Sequence, residues 1–279
     1  MSEAKNPVVT TAQVKELLLA RGLQAARIRG GLIALLAERT QIENLAELPT
    51  GELVGETLAI ESAENPLGSV IQMIIAPTPI EEPEAHKTAR RIMGDNFLGM
   101  PEVAKVFGAL RPEFQAALAV IPFDEATLRS CRETHVLVAD IGLSIIDVRG
   151  RMKRGLFYSN EDAWYNAEQF AKLTEKVAWR LIRKTPVANS TSKNWDEQKA
   201  LLGEHDEVPT ARRVVYAIML VFCTTGERLL ERIYVRTNDV DSNGFRVLVG
   251  HFGGVGLFVS LWRDHDRGGG LGVSSSRKS

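Results

Sequence analysis

Asp239, Asp241 and Asn243 stand at alternate positions ahead of Gly244, an order that matches the oxygen ligands and turn glycine opening an EF-hand calcium loop. The twelfth position, where a bidentate carboxylate closes such a loop, is Gly250, and the flanks read as strands. An Asx-rich hairpin turn is therefore expected, since Asn-Gly is a strong hairpin signal. Nucleophilic catalysis needs a base within reach of a Ser or Cys. Neither Cys131 nor Cys223 stands in such a motif; His135 heads an apolar run and His205 lies in a polar stretch, positions that suit core and surface residues. A phosphate cradle needs glycines between a strand and a helix N-terminus, but "RGGGLG" at 267–272 is followed by no helix-forming residues. The two cysteines are far apart and have no short-spaced zinc partner. No nucleophile, base, metal or cofactor site is thus expected.

One stretch departs from the rest in composition. Between Gly244 and Ser276 there is no Lys, Glu, Gln or Met, although the remaining chain uses Lys and Glu freely. Glycine and serine near a terminus usually mean a solvated tail. Here Phe252, Leu257, Phe258, Val259, Leu261 and Trp262 are packed too densely for that, so the stretch reads as a folded surface with a restricted alphabet.

The elements that would position it are legible from periodicity. "RIYVRT", "FRVLVGHF" and "GLFVSLW" alternate like strands with turn residues between them, and Val247, Val249, Leu257, Val259 and Leu261 would share one face. "VAWRLIRKTPV" reads as a further strand, and Pro209 opens a helix through Cys223 that Gly226 ends. Upstream, short helices separated by Pro112 and Pro122 precede "THVLVADIGLSIIDVRG", which reads as buried strands, and "EDAWYNAEQFAKLT" reads as a helix. Two helices are expected in the first forty residues, where Arg21, Arg27 and Arg29 are diluted by Glu16, Glu38 and Glu43, and a hairpin between 57 and 75. "APTPIEEPEAH", 76–86, is the candidate linker. The expected organisation is a mostly helical domain over 1–92 and a mixed α+β domain over 93–279.

With 279 residues, 44% of them hydrophobic, the chain can bury a sizeable core. A formal charge of −1 leaves no overall basic field, so a nucleic-acid partner is not expected. Two cysteines are too few for a disulfide framework, the N-terminus lacks a signal-peptide pattern, and the apolar run 214–223 is far short of the roughly 20 residues that span a bilayer. A cytoplasmic protein without a membrane partner is expected.

Taken together, "DVRGRMKRGLFYSNEDAWYNAEQFA", "AWRLIRKTPVANSTSKNWDEQKALL", "TGERLLERIYVRTNDVDSNGFRVLVGHF" and "LGVSSSRK" resemble the variable proteins of diversity-generating retroelements, over the last half to two thirds of the chain. In that family a reverse transcriptase copies a template imperfectly at adenines, and the copy replaces the 3' end of a gene encoding a C-type lectin fold. An AAC codon randomised at both adenines reaches every residue except Lys, Glu, Gln, Met and Trp, which are the types missing from 244–276 save for Trp262.

The resemblance implies a C-type lectin fold of the formylglycine-generating-enzyme-like subclass, with a variable region at about 245–276. It implies a ligand-binding surface formed by Phe245, Leu248, His251, Gly253, Gly254, Val255, Phe258, Ser260, Leu261, Arg263, His265, Gly268, Gly269 and Gly270. Gly250, Phe252, Gly256, Leu257, Val259, Trp262, Arg267, Leu271, Gly272 and the "VSSSRK" end would be framework. The implied ligand is a protein, bound without turnover, cofactor or metal, and the N-terminal domain is expected to make a protein–protein contact. The alternatives are an enzyme of the formylglycine-generating type, which uses a cysteine pair near the C-terminus whereas Cys223 is the last cysteine here, and a regulatory protein that binds nucleic acid through the N-terminal helices.

Overall fold

The computed structural model describes residues 82–159 and 161–278. The helices expected in the first forty residues, the hairpin between 57 and 75 and most of the linker lie outside the described residues. The chain divides into two units, Met1–Ile80 and Glu81–Ser279. The second unit begins within the proline-rich linker, and the boundary expected at 92/93 falls in the last turn of its first helix, α1 (Glu84–Met93). That helix belongs to the second unit because it buries His86, Ala89, Ile92 and Met93. The His86 ring meets the Trp179 edge at 5.0 Å, and both side chains reach the Leu118 carbonyl.

The second unit is mixed α+β with two sheets. Helices α2 (Met100–Phe107), α3 (Pro112–Ala117) and α4 (Glu125–Cys131) follow a short strand β1 (Phe97–Leu98). Strand β2 (His135–Asp140) is buried along its whole length. The apolar run after it was expected to continue as strand, but it turns into helix α5 (Ile145–Gly150). The reason is local: Ser144 and Asp147 form a capping box, which satisfies the free N–H groups of a helix start. "EDAWYNAEQFAKLT" likewise forms a 3-10 turn (Trp164–Asn166) and one short helix, α6 (Gln169–Lys172), rather than a continuous helix.

Strand β3 (Ala178–Arg183), helix α7 (Trp195–Lys199) and strand β4 (Asp206–Glu207) lead to the long central helix α8 (Ala211–Thr225). Its first free N–H, of Ala211, is held at 2.6 Å by the Asp239 carboxylate, and Gly226 ends it in the left-handed region at φ +79°. Arg212 on α8 is buried against Asp140 of β2, whose Oδ1 accepts from Nη1 at 3.0 Å. Glu175 joins the same network through Thr210 and Arg213.

The three C-terminal runs form strands β5 (Tyr234–Val240), β6 (Arg246–Gly253) and β7 (Gly256–Trp262), paired antiparallel as expected. The first sheet has the order β1-β2-β3-β9-β4 and the second β7-β6-β5-β8. Strand β8 (Leu271–Val273) pairs with β5, whereas β9 (Ser276–Arg277) pairs with β3 and β4. The "LGVSSSR" segment thus leaves one sheet and enters the other, and Ser274, Ser275 and Ser276 are buried at the crossing. Among the described residues no helix is long and apolar enough to cross a membrane.

Candidate ligand-binding surface

The expected hairpin turn is present at Asp241–Gly244, and its carboxylate is occupied by backbone. Asp241 Oδ1 accepts from the N–H of Asn243 at 3.0 Å and of Phe245 at 2.7 Å, while Gly244 takes φ +82°. Pairing then fixes which side chains share a face. Leu248 lies opposite Ser260, Gly250 opposite Phe258, and Arg246 opposite Trp262. Between them, Val247, Val249, Leu257 and Val259 are buried, and Phe252 meets Phe222 of α8 edge-on at 5.0 Å.

The loop 263–270 carries exposed Arg263, His265, Gly269 and Gly270, yet its backbone is held from below. Arg236, fully buried on β5, donates from Nη2 to the carbonyls of Arg263 at 3.0 Å and Asp266 at 2.8 Å, and from Nη1 to Gln198 Oε1 at 2.9 Å. Arg246 grips Asp264 through two parallel bonds of 3.0 and 2.8 Å and lies over the Trp195 ring. The N–H of Ser192 bonds the Gly268 carbonyl, that of Trp195 the Asp264 carbonyl and that of Tyr234 the Gly270 carbonyl. The loop therefore hangs on fixed groups, its Asp264 side chain included, while Arg263 and His265 are exposed.

The edge of β7 is also covered. The N–H of Leu257 donates to Leu156 O at 2.8 Å, Tyr158 N–H donates to Leu257 O at 3.0 Å, and the Trp164 indole donates to Val259 O at 2.9 Å. This docking brings Tyr158 onto Phe258 in a stack with centroids 4.0 Å apart. Tyr234 lies 4.4 Å from the His251 ring and meets Phe258 at 6.4 Å. Tyr158 and Tyr234 are outside the stretch singled out by composition, and nothing in their local sequence marks them, because the contact is made across strands.

The glycines fall into two groups. A Cβ at Gly250 would stand 2.1 Å from the Ile233 carbonyl oxygen, one at Gly256 would stand 2.7 Å from the Phe157 backbone, and one at Gly272 would stand 2.5 Å from Pro186. Gly250 and Gly256 also have φ of +152° and +102°. At Gly254 and Gly270 a Cβ would meet nothing within 4 Å and at Gly253 and Gly269 only ordinary contacts, whereas at Gly268 it would press on the Trp262 ring at 3.1 Å, with Leu271 at 3.6 Å.

Of the residues expected to face a ligand, His251, Gly254, Val255, Arg263, His265, Gly269 and Gly270 are exposed, and Phe245, Gly253, Phe258, Ser260, Leu261 and Gly268 are half-buried. Leu248 is a correction. It is 1% exposed because it sits on the sheet between Ser260 and Arg236, under the loop that Arg236 anchors, so it cannot reach a ligand. Trp262, expected as framework, differs too: it is 38% exposed where it ends β7. His251 is held at φ +48°, a conformation that favours Asn, Asp, His or Gly, so this position admits a narrower set of residues than its neighbours.

The chain matches no protein-family profile, no curated protein and no solved structure.

Proposed function

We propose that residues 93–279 form a C-type lectin-like ligand-binding domain whose surface is diversified by a retroelement reverse transcriptase, with a protein as ligand. The observation that carries this reading is the division of the glycines: of the positions that the resemblance implies are variable, Gly253, Gly254, Gly269 and Gly270 have room for a side chain and Gly268 only against the Trp262 ring, while Gly250, Gly256 and Gly272, which it implies are framework, have none. A second support is the anchoring of loop 263–270 through residues outside it, such as Arg236, so that side chains can change without moving the backbone. Tyr158 and Tyr234 would then supply a constant aromatic base beside variable Phe258 and His251, rings of the kind that dominate binding hot spots. The enzyme alternative draws little from Cys223, an exposed residue whose thiol pKa is pushed up by partial desolvation, the opposite of an activated nucleophile.

The test is genetic. Sequencing the gene's 3' end and its neighbourhood should reveal a reverse transcriptase gene and a near-repeat of codons 245–276, with differences confined to adenines of the repeat. A neighbourhood without either would overturn the reading.

A further inference from the structure

A cavity of about 480 Å³ opens between the end of α2, the loop 108–111 and the segments 141–143 and 174–177. That volume lies in the range of small-ligand sites, and the described residues that line it fall between Phe107 and Val177, outside the variable stretch. Its walls are fixed by the fold. Phe107 stacks on buried Tyr216 with centroids 5.1 Å apart, and the Glu175 N–H donates to the Gly142 carbonyl at 3.1 Å. In the lining, Phe107, Leu110 and Ile141 are buried and Phe114 is half-buried, so an apolar wall stands ready before any ligand enters.

Three charged side chains line the same cavity, Arg111, Arg151 and Glu175, and they do not pair with one another. Glu175 is matched from behind. Its Oε1 accepts from the Thr210 hydroxyl at 2.8 Å and lies 3.2 Å from Arg212 Nε, and its Oε2 accepts from Arg213 Nε at 2.7 Å and Arg180 Nη2 at 3.1 Å. None of those four residues lines the cavity. Arg151 donates to a neutral group, the Phe107 carbonyl at 2.8 Å, and has no carboxylate partner among the described residues. Arg111 lies over the Phe114 ring at 4.1 Å, and its partner Glu113, 3.2 Å away, is 61% exposed, so water screens that pair. An apolar wall and two guanidinium groups with unmatched charge therefore meet in one space.

We propose that this cavity binds a small organic carboxylate with an aromatic or branched apolar body, the body against Phe107, Leu110 and Phe114 and the carboxylate accepting from Arg111 and Arg151. The planar fork of a guanidinium matches a carboxylate, and charge-assisted bonds of this kind are among the stronger ones available. A bare inorganic anion would leave the apolar wall unfilled, and a neutral apolar molecule would leave the two charges unmatched. The site shares no residue with the diversified surface and does not rest on the function proposed above.

The probe is phenylacetate, titrated into the full chain at constant ionic strength set with sodium chloride. The expected result is a saturable shift of the Gly108 and Gly142 amide resonances together with a rise in melting temperature by mass action. Neutral phenylacetamide should bind about tenfold more weakly, and the double variant Arg111→Gln, Arg151→Gln should lose the preference for the carboxylate. Should the double variant fold poorly, Arg111→Gln alone carries the comparison with a smaller loss, since that side chain is exposed and makes no backbone contact. Arg154→Gln, exposed and outside this cavity, should bind phenylacetate as the wild type does. The proposal is overturned if phenylacetate leaves both glycines unmoved, if acetate produces the same shifts, if the amide binds as tightly as the carboxylate, or if Arg111→Gln and the double variant bind as the wild type does. Binding of acetyl-leucyl-phenylalanine but not phenylacetate would also overturn it, in favour of a peptide C-terminus.

Discussion

Gly256 and Gly254 are two residues apart and occupy opposite situations. A side chain on the first would be driven into the Phe157 backbone and would have to adopt φ +102°, while a side chain on the second would enter open space. The same contrast separates Gly272, where an added Cβ would meet Pro186 and Ser190, from Gly270, where it would meet nothing within 4 Å. A glycine-rich composition therefore hides two kinds of residue, one required by close backbone approach and one that leaves a surface position unfilled. The first kind lets the 155–158 segment and the 186–190 segment pack onto the second sheet.

The contrast is broken most directly by disturbing the fixed side. Gly256→Ala and Phe252→Ala should each lower stability by roughly 3 to 5 kcal/mol, the first through a backbone clash in a left-handed conformation and the second through a cavity against Phe222. Chemical denaturation checks both, and a loss below about 1 kcal/mol would place these residues outside the rigid support.

Acid should act on the fixed side as well. His135 is held at about 4 by burial and then by Arg183, below its ordinary 6.5, so the unfolded chain takes up a proton that the folded one refuses. Stability should be undiminished above pH 6.5 and fall by on the order of 3 kcal/mol as pH drops from 6.5 to 4. Burial pushes the Glu175 carboxyl up, but Arg212, Thr210 and Arg213 outweigh it and hold the group at about 2. Its contribution is present above about 4.5 and lost as pH falls from there toward 2. Thermal melts across pH read both steps, and a flat profile between 6.5 and 4 would contradict the burial of His135.

A smaller effect is expected at Trp262. Because the ring is partly exposed, Trp262→Ala should cost about 1 to 2 kcal/mol, well short of Phe252→Ala. A loss equal to that of Phe252→Ala would restore Trp262 to the framework.

The second sheet was largely legible in the sequence, because its strands alternate with period two and its turns carry Asn-Gly and Gly signals. The long helix was legible too, from Pro209 before it and Gly226 after it. What escaped depended on long-range partners. Leu248 looks like any strand residue until Arg236 places the 263–270 loop above it, and Trp262 looks like core until the strand ends beneath it. The run after Asp140 was misread because apolar periodicity over so few residues cannot distinguish strand from helix, and the Ser144–Asp147 cap decided the matter. Within the candidate surface, the room at Gly254 and Gly270 depends on backbone packing that composition does not record, and Tyr158 and Tyr234 joined it only through contacts across strands.

The central claim is that one stretch carries a rigid set and a replaceable set of positions, and a matched substitution tests it most directly. Gly254, Gly269 and Gly270 are changed together to Asn in one variant, and Gly256 alone is changed to Asn in another, with unfolding free energies measured side by side. The triple variant should stay within about 0.5 kcal/mol per site of the wild type, as exposed positions do, while the single variant should lose several times that total or fail to fold. A triple variant destabilised as much as Gly256→Asn would contradict the account.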